Sequence, residues 1–160
     1  MLKGVAKREK IDLPDALAVN LAHESDRNLR KALLMLEAAK VQAGGSELRG
    51  DQPLPTTDWE LYIRQLAKDI TKEQSPQKLM AAREKLYELL VNCIPASVIL
   101  KQLVSELIKS LDDSLKLEVV EWAAFYEHRI AMGSKEIFHL EAFVAKFMAI
   151  YKKYLNDMFA

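Results

Sequence analysis

Three observations predict an all-α fold for this chain of 160 residues. Apolar residues recur at steps of three and four along most of its length. No run shows the strict alternation of a half-buried strand. Prolines and glycines fall where they cut the periodic stretches into helix-sized lengths. Half of the residues are hydrophobic, and 23 basic side chains balance 23 acidic ones. A chain of this size and composition can bury one sizeable core or two smaller ones. It reads as neither a disordered tail nor a strongly basic nucleic-acid arm, so any contact with DNA must be local.

The elements follow in order. Residues 2–10, 14–24 and 26–42 read as three short helices, with Pro14 in the first turn of the second, where its missing N–H costs nothing. The first of them opens without a cap, as the continuation of a longer helix would. Ala43-Gly44-Gly45 ends the third. The polar run through Pro53-Leu54-Pro55 reads as a flexible connector, residues 43–57, between a first domain over 1–42 and a second over 58–160. Thr57 or Asp58 caps a helix starting at Trp59, and Ser75-Pro76 opens another that reaches Cys93. After Pro95, helices are expected over 96–111, 115–132 and 135–159, parted by Asp112-Asp113 and Gly133-Ser134. The count is three helices, then five.

The last helix shows the richest pattern. Ile137, Leu140, Val144, Phe147, Tyr151, Tyr154 and Met158 keep the register of a helix packed lengthwise on neighbours. Phe143, Met148, Ile150 and Leu155 widen the apolar arc beyond what one partner helix requires, so several helices should surround it. A separate stripe of Phe138, Ala142, Ala145 and Ala149 lies on the other side. Small residues there would admit a second helix closely, although alanine is also simply a good helix former at exposed positions.

Several constellations that carry chemistry elsewhere fail here. A phosphate-binding loop needs Gly-x-x-x-x-Gly-Lys-Ser/Thr, and Gly45-Ser46-Glu47-Leu48-Arg49-Gly50 is followed by Asp51, which would repel a phosphate. The single cysteine, Cys93, excludes an internal disulfide. Its apolar neighbours point to a buried thiol in a reducing compartment. Glu136-Ile137-Phe138-His139 has the spacing of di-iron bundles but no second such pair, so His139 reads as structural. Glu127-His128-Arg129 reads as a solvated helix surface. Trp122, Phe125 and Tyr126, interleaved with Val119, Val120, Ala123 and Ala124, read as core rather than as base-stacking residues. No signal peptide or membrane-length apolar run is present, so a soluble intracellular protein is the default expectation.

The stretch Ser25-Asp26-Arg27-Asn28-Leu29-Arg30-Lys31 points most directly to function. With Ser25 or Asp26 as N-cap, it crowds three cations into the first turn of an apolar helix. A helix N-terminus already carries roughly half a positive charge, so an anion is expected nearby. With the following Ala32-Leu33, this segment resembles the sensor-2 segment of clamp-loader ATPases, usually Ser-Asp-Gly-Asp-Met-Arg-Arg-Ala-Leu. Val5-Ala6-Lys7-Arg8-Glu9-Lys10-Ile11 and the downstream run from His139 to Ala149 resemble the small subunits of eukaryotic replication factor C, nearest to the subunit-three family.

The resemblance covers nearly the whole chain. It implies a three-helix AAA+ lid followed by a five-helix collar, without the nucleotide-binding core. It also implies that Arg30 is the sensor-2 arginine, reaching toward the γ-phosphate of ATP held by that core in the full-length subunit. An arginine suits this because its planar fork pairs with phosphate oxygens and stays charged at any working pH. The sequence departs from the usual segment at Arg27-Asn28 and at Lys31. By the same resemblance the collar joins the other subunits of a nuclear heteropentamer that loads a sliding clamp on primer-template DNA, and the alanine stripe gains a partner. The alternative is a stand-alone helical scaffold that binds partner helices and never meets nucleotide. A Walker motif upstream of Met1 would separate the two.

Overall fold

Eight α-helices and no strand are found among the described residues of the computed structural model, which are all but Asp26, Gly45, Ser46, Ser134 and Ala160. The chain divides into two units, Met1–Thr56 and Thr57–Ala160.

The first unit holds α1 (Leu2–Arg8), α2 (Asp15–Glu24) and α3 (Leu29–Gln42). Leu17 and Leu21, four residues apart on one face of α2, are fully buried against Ala6, Ala32, Leu36 and Ala39. α1 stops in a Schellman motif. Lys10 takes a left-handed conformation at φ 55°, its N–H bonds the Lys7 carbonyl, and Ile11 N–H bonds the Ala6 carbonyl at 2.8 Å. Ile11 is thereby turned onto the core.

Part of the flexible connector expected over residues 43–57 packs on the first unit instead. Leu48 is buried in the core of this unit and Leu54 packs against it. A Cβ on Gly50 would lie 3.4 Å from that of Ala16, so the chain runs close over the start of α2. One leucine without a periodic neighbour gives no helical or strand signal. Its burial is nevertheless worth about 1.5–3 kcal/mol, enough to fasten a short loop. Beside it, Arg49 grips Asp51 through two hydrogen bonds of 3.2 and 2.9 Å, and this holds the Asp51 carboxyl below the usual range.

The second unit holds α4 (Asp58–Lys72), α5 (Pro76–Val91), α6 (Ala96–Ile108), α7 (Asp113–Met132) and α8 (Glu136–Phe159). α4 opens with a capping box between Thr57 and Glu60, and α5 with Ser75 as N-cap and Pro76 in its first turn. α8 packs against each of the other four helices, which accounts for its broad apolar arc. Ile137, Leu140, Phe143, Val144, Phe147, Met148 and Ile150 are buried, whereas Met158 at the far end is exposed.

Polar pairs at the edges set how these helices abut. Lys85 of α5 bonds Asp69 of α4 at 2.7 Å and holds that carboxyl low. The Tyr62 hydroxyl donates to Glu88, which pushes the phenol up to about 12. Arg83 reaches Glu141 on α8 at 3.3 Å, and Lys101 of α6 reaches Glu127 of α7 at 2.9 Å. Such partly solvated pairs contribute up to about 1 kcal/mol each, so they orient packing that burial drives.

Two further expectations are corrected. Phe125 is half exposed rather than core, whereas Trp122 and Tyr126 are partly buried and pack against the core that Leu115, Val119, Ala123 and Ile130 of α7 enter fully. The three rings instead form an edge-packed cluster at the margin, with Tyr126 against Phe143 and the Lys146 ammonium 4.1 Å over the Trp122 ring.

Cys93 is exposed rather than buried. It sits at φ 60° as the left-handed residue of a second Schellman motif, with Cys93 N–H on the Leu90 carbonyl and Ile94 N–H on the Leu89 carbonyl. That conformation points its side chain outward while Ile94 packs inward. Left-handed backbone costs a residue with a Cβ roughly 1–2 kcal/mol; glycine avoids that cost, and its larger unfolded-state entropy offsets part of the gain. Cys93→Gly is therefore expected to stabilise the second unit by about 0.5–1 kcal/mol, read as a higher urea midpoint at unchanged slope.

Candidate nucleotide and partner sites

The segment from Ser25 to Lys31 forms the corner between α2 and α3. Ser25 is almost fully buried, and its hydroxyl donates to the Ala22 carbonyl at 3.0 Å. Arg27 stands in the left-handed region at φ 61°. Asn28 then caps α3, its side chain accepting from Lys31 N–H at 3.2 Å. The expected cap at Ser25 or Asp26 is thus displaced. Ser25 closes α2, Asp26 lies outside the described residues, and the left-handed step at Arg27 postpones the helix to Leu29. That step suits the glycine of the sensor-2 segment that this stretch resembles, since glycine adopts a positive φ without cost. Nothing in the structure explains the arginine that stands there instead.

Arg30 occupies the second position of α3, exposed at the helix N-terminus, and no acidic residue lies in that first turn. Among the described residues no carboxylate pairs with it. Lys31, one position on, is half-buried and engaged in contacts of its own. Arg27 borders an open groove lined by Leu2, Ala18, Val19, Ala22 and Leu29, between α1, α2 and the start of α3. The corner therefore presents an unneutralised guanidinium together with the positive end of a helix. An anion brought against it would meet both.

The second candidate surface is the outer face of α8. Phe138 and Ala149 are exposed, and Ala142 and Ala145 partly so. At 100° per residue the four lie opposite the buried arc of Phe143, Phe147 and Leu140. Glu141, held by Arg83, borders the stripe on the side of α5, and Lys146, over Trp122, borders it on the side of α7. The stripe thus faces away from the unit's own core.

His139, the residue of the Glu-x-x-His spacing, packs back on the α7–α8 corner. A Cβ added to Gly133 would come within 2.6 Å of its Nε2. No group of three or more metal-ligating side chains is found among the described residues. No described helix is long and apolar enough to cross a membrane.

Sequence reasoning missed Asn28 as the cap and Arg27 as a left-handed residue. The strong preference of asparagine for N-cap positions was the available signal. A positive φ on an arginine leaves no trace in composition or period.

Comparison with known proteins completes the picture. Residues 59–155 match the family described as replication factor C subunit 3, C-terminal domain, and residues 1–41 match the RCF1/5-like AAA+ ATPase lid domain. Replication factor C subunit 3 of Arabidopsis thaliana is 54% identical over 159 residues, covering 99% of this chain and 44% of the relative. The Homo sapiens protein of the same name is 54% identical over 157 residues, 98% of this chain and 44% of the relative. Replication factor C subunit 5 of Schizosaccharomyces pombe is 42% identical over 153 residues, 94% and 43%. The chain thus spans less than half the length of these relatives. With both units matched in order, the chain belongs to the replication factor C subunit 3 family, of which it carries the AAA+ lid and the C-terminal domain.

Proposed function

We propose that this chain acts as the lid and collar of a sliding-clamp loader subunit in nuclear DNA replication and repair. In this reading the lid senses ATP or ADP held by an AAA+ core, and the collar joins the other replication factor C subunits in a heteropentamer that places the clamp on primer-template DNA. The observation that carries the nucleotide role is Arg30, exposed and without a described carboxylate partner at a helix end that holds no acid. The donor set fits a polyphosphate: a planar guanidinium fork, a second arginine at the same corner and backbone N–H groups of the helix start. Bound nucleotide supplies the negative charge, and Arg30 supplies a cation whose position depends on how the lid sits over the core.

The sequence holds no phosphate-loop motif and the described residues hold no metal-ligating group, so hydrolysis in this reading belongs to the core of the full-length subunit. The collar role rests on the outward stripe of Phe138, Ala142, Ala145 and Ala149.

Arg30→Ala tests the nucleotide role in two settings. In the 160-residue chain the melting midpoint is expected to stay level or rise slightly, since the change removes a cation from a positive helix end, worth about 0.3–1 kcal/mol. In the full-length subunit, assembled with its partners, the same change is expected to weaken the dependence of clamp loading on ATP concentration. An unaltered ATP response would refute the sensing role. A large loss of stability in the chain alone would assign Arg30 a structural contact instead.

A further inference from the structure

Of the five prolines in the chain, only Pro76 follows a serine or threonine. Ser75-Pro76-Gln77-Lys78 sets a hydroxyl directly before a proline and a lysine three residues after it. Proline-directed protein kinases read this pattern. Proline brings no backbone N–H to leave unpaired in the cleft, and the lysine offers a charge for an acidic pocket. Four residues recur often by chance, so accessibility and local geometry decide whether the pattern is usable.

Both favour it. Glu73 (φ −145°, ψ 127°) and Ser75 (φ −124°, ψ 157°) are extended, as a peptide lying in a kinase cleft must be. Ser75 is partly exposed, and Pro76 and Gln77 are exposed. The Ser75 hydroxyl donates to the Glu73 carboxylate at 2.7 Å and accepts from Lys78 N–H at 3.3 Å. The Lys78 ammonium stands 3.9 Å from the same Glu73 carboxylate. The first turn of α5, held by Lys78 N–H on the Ser75 hydroxyl and Leu79 N–H on the Ser75 carbonyl, has to open for the kinase, together with the Ser75 bond to Glu73 and the Gln74 amide bonds to the Ile70 and Thr71 carbonyls, and helix ends open at little cost.

We propose that Ser75 is a phosphorylation site for a proline-directed serine/threonine kinase, and that the phosphoryl group takes Lys78 over from Glu73. In the transfer, the bond from the γ-phosphorus of ATP to its bridging oxygen breaks as a bond from that phosphorus to Ser75 Oγ forms. The hydroxyl proton passes to the kinase's catalytic base, and ADP leaves. The product carries about −1.5 to −2 charge at pH 7 where α5 has no acid of its own in the first turn. Lys78 N–H already points at this oxygen, and the Lys78 ammonium stands by the same carboxylate that the Ser75 hydroxyl bonds, whereas Glu73 is repelled. The start of α5 gains an anionic cap and loses its link to the end of α4.

The test uses the 160-residue chain, folded by circular dichroism, with a purified proline-directed kinase and ATP, followed by peptide mapping. Phosphate is expected on the peptide containing Ser75, with loss of that incorporation in Ser75→Ala and a much reduced rate in Pro76→Ala. Amide hydrogen exchange at Lys78 is expected to slow in the phosphorylated chain. Incorporation only at other residues, an undiminished rate in Pro76→Ala, or phosphorylation of a synthetic 70–82 peptide but not of the folded chain would each overturn the site. Faster exchange at Lys78 would overturn its capture by the phosphate.

Discussion

Phe143→Ala is expected to remove about 3–5 kcal/mol from the stability of the Thr57–Ala160 unit. Phe143 is 1% exposed on the helix that touches every other helix of that unit, and its ring meets Tyr126 edge-on at 6.3 Å. Truncation removes the transfer energy of the ring and leaves a void inside the core that α8 shares with its neighbours. The site has little freedom to collapse, which puts the cost toward the upper part of the range. Domains of this size have about 5–15 kcal/mol to lose, so the variant should unfold at markedly lower urea. Both tryptophans, Trp59 and Trp122, lie in this unit, so indole fluorescence reports its unfolding without contribution from the other. A loss under about 1 kcal/mol would mean that the cluster of Trp122, Phe125 and Tyr126 moves inward to fill the space.

The helices were legible because their signals were local. Pro76 after Ser75, a capping residue at Thr57 or Asp58, and the steps of three and four along α8 each name a structure through chemistry within one or two turns. The errors share the opposite property. Leu48 gave no periodic signal and is buried only because α2 and its neighbours leave a place for it. Cys93 has apolar neighbours in sequence, yet the left-handed cap conformation turns it outward. On α7 the apolar residues occupy every face, so Leu117, Val120 and Phe125 could not be told from Val119 and Ala123 until the packing partners were known.

The candidate sites divide in the same way. The cations of the α2–α3 corner were visible as charge where a helix dipole disfavours it. Their arrangement was not, because Arg27 lies on a backbone step that sequence periodicity does not record and Asn28 takes the capping role. The stripe on α8 was visible as small residues at helical spacing. Its outward direction follows only from where α5 and α7 pack, which Arg83 on Glu141 and Lys146 over Trp122 mark on either side.

That geometry selects the variant that tests the collar role most cleanly. Ala145 is partly buried, so a long side chain there would also disturb this chain's own packing, whereas Ala149 is exposed and borders an open hollow lined by two lysines, Lys146 and Lys153, and two carboxylates, Glu118 and Asp157. Ala149→Glu places a carboxylate three residues after one lysine and four before another, a spacing worth about 0.2–0.5 kcal/mol per pair on a helix surface. The 160-residue chain should therefore melt within about 0.5 kcal/mol of the parent, as surface substitutions do. In the full-length subunit, a partner collar seated on the stripe would meet a longer side chain and strip water from that carboxylate and from the lysines beside it, a desolvation cost of several kcal/mol. Co-purification with the other replication factor C subunits should then fail, and Ala149→Ser, small and uncharged, should restore it. Normal assembly by a normally folded Ala149→Glu subunit would show that the stripe faces solvent and that the collar meets its neighbours elsewhere.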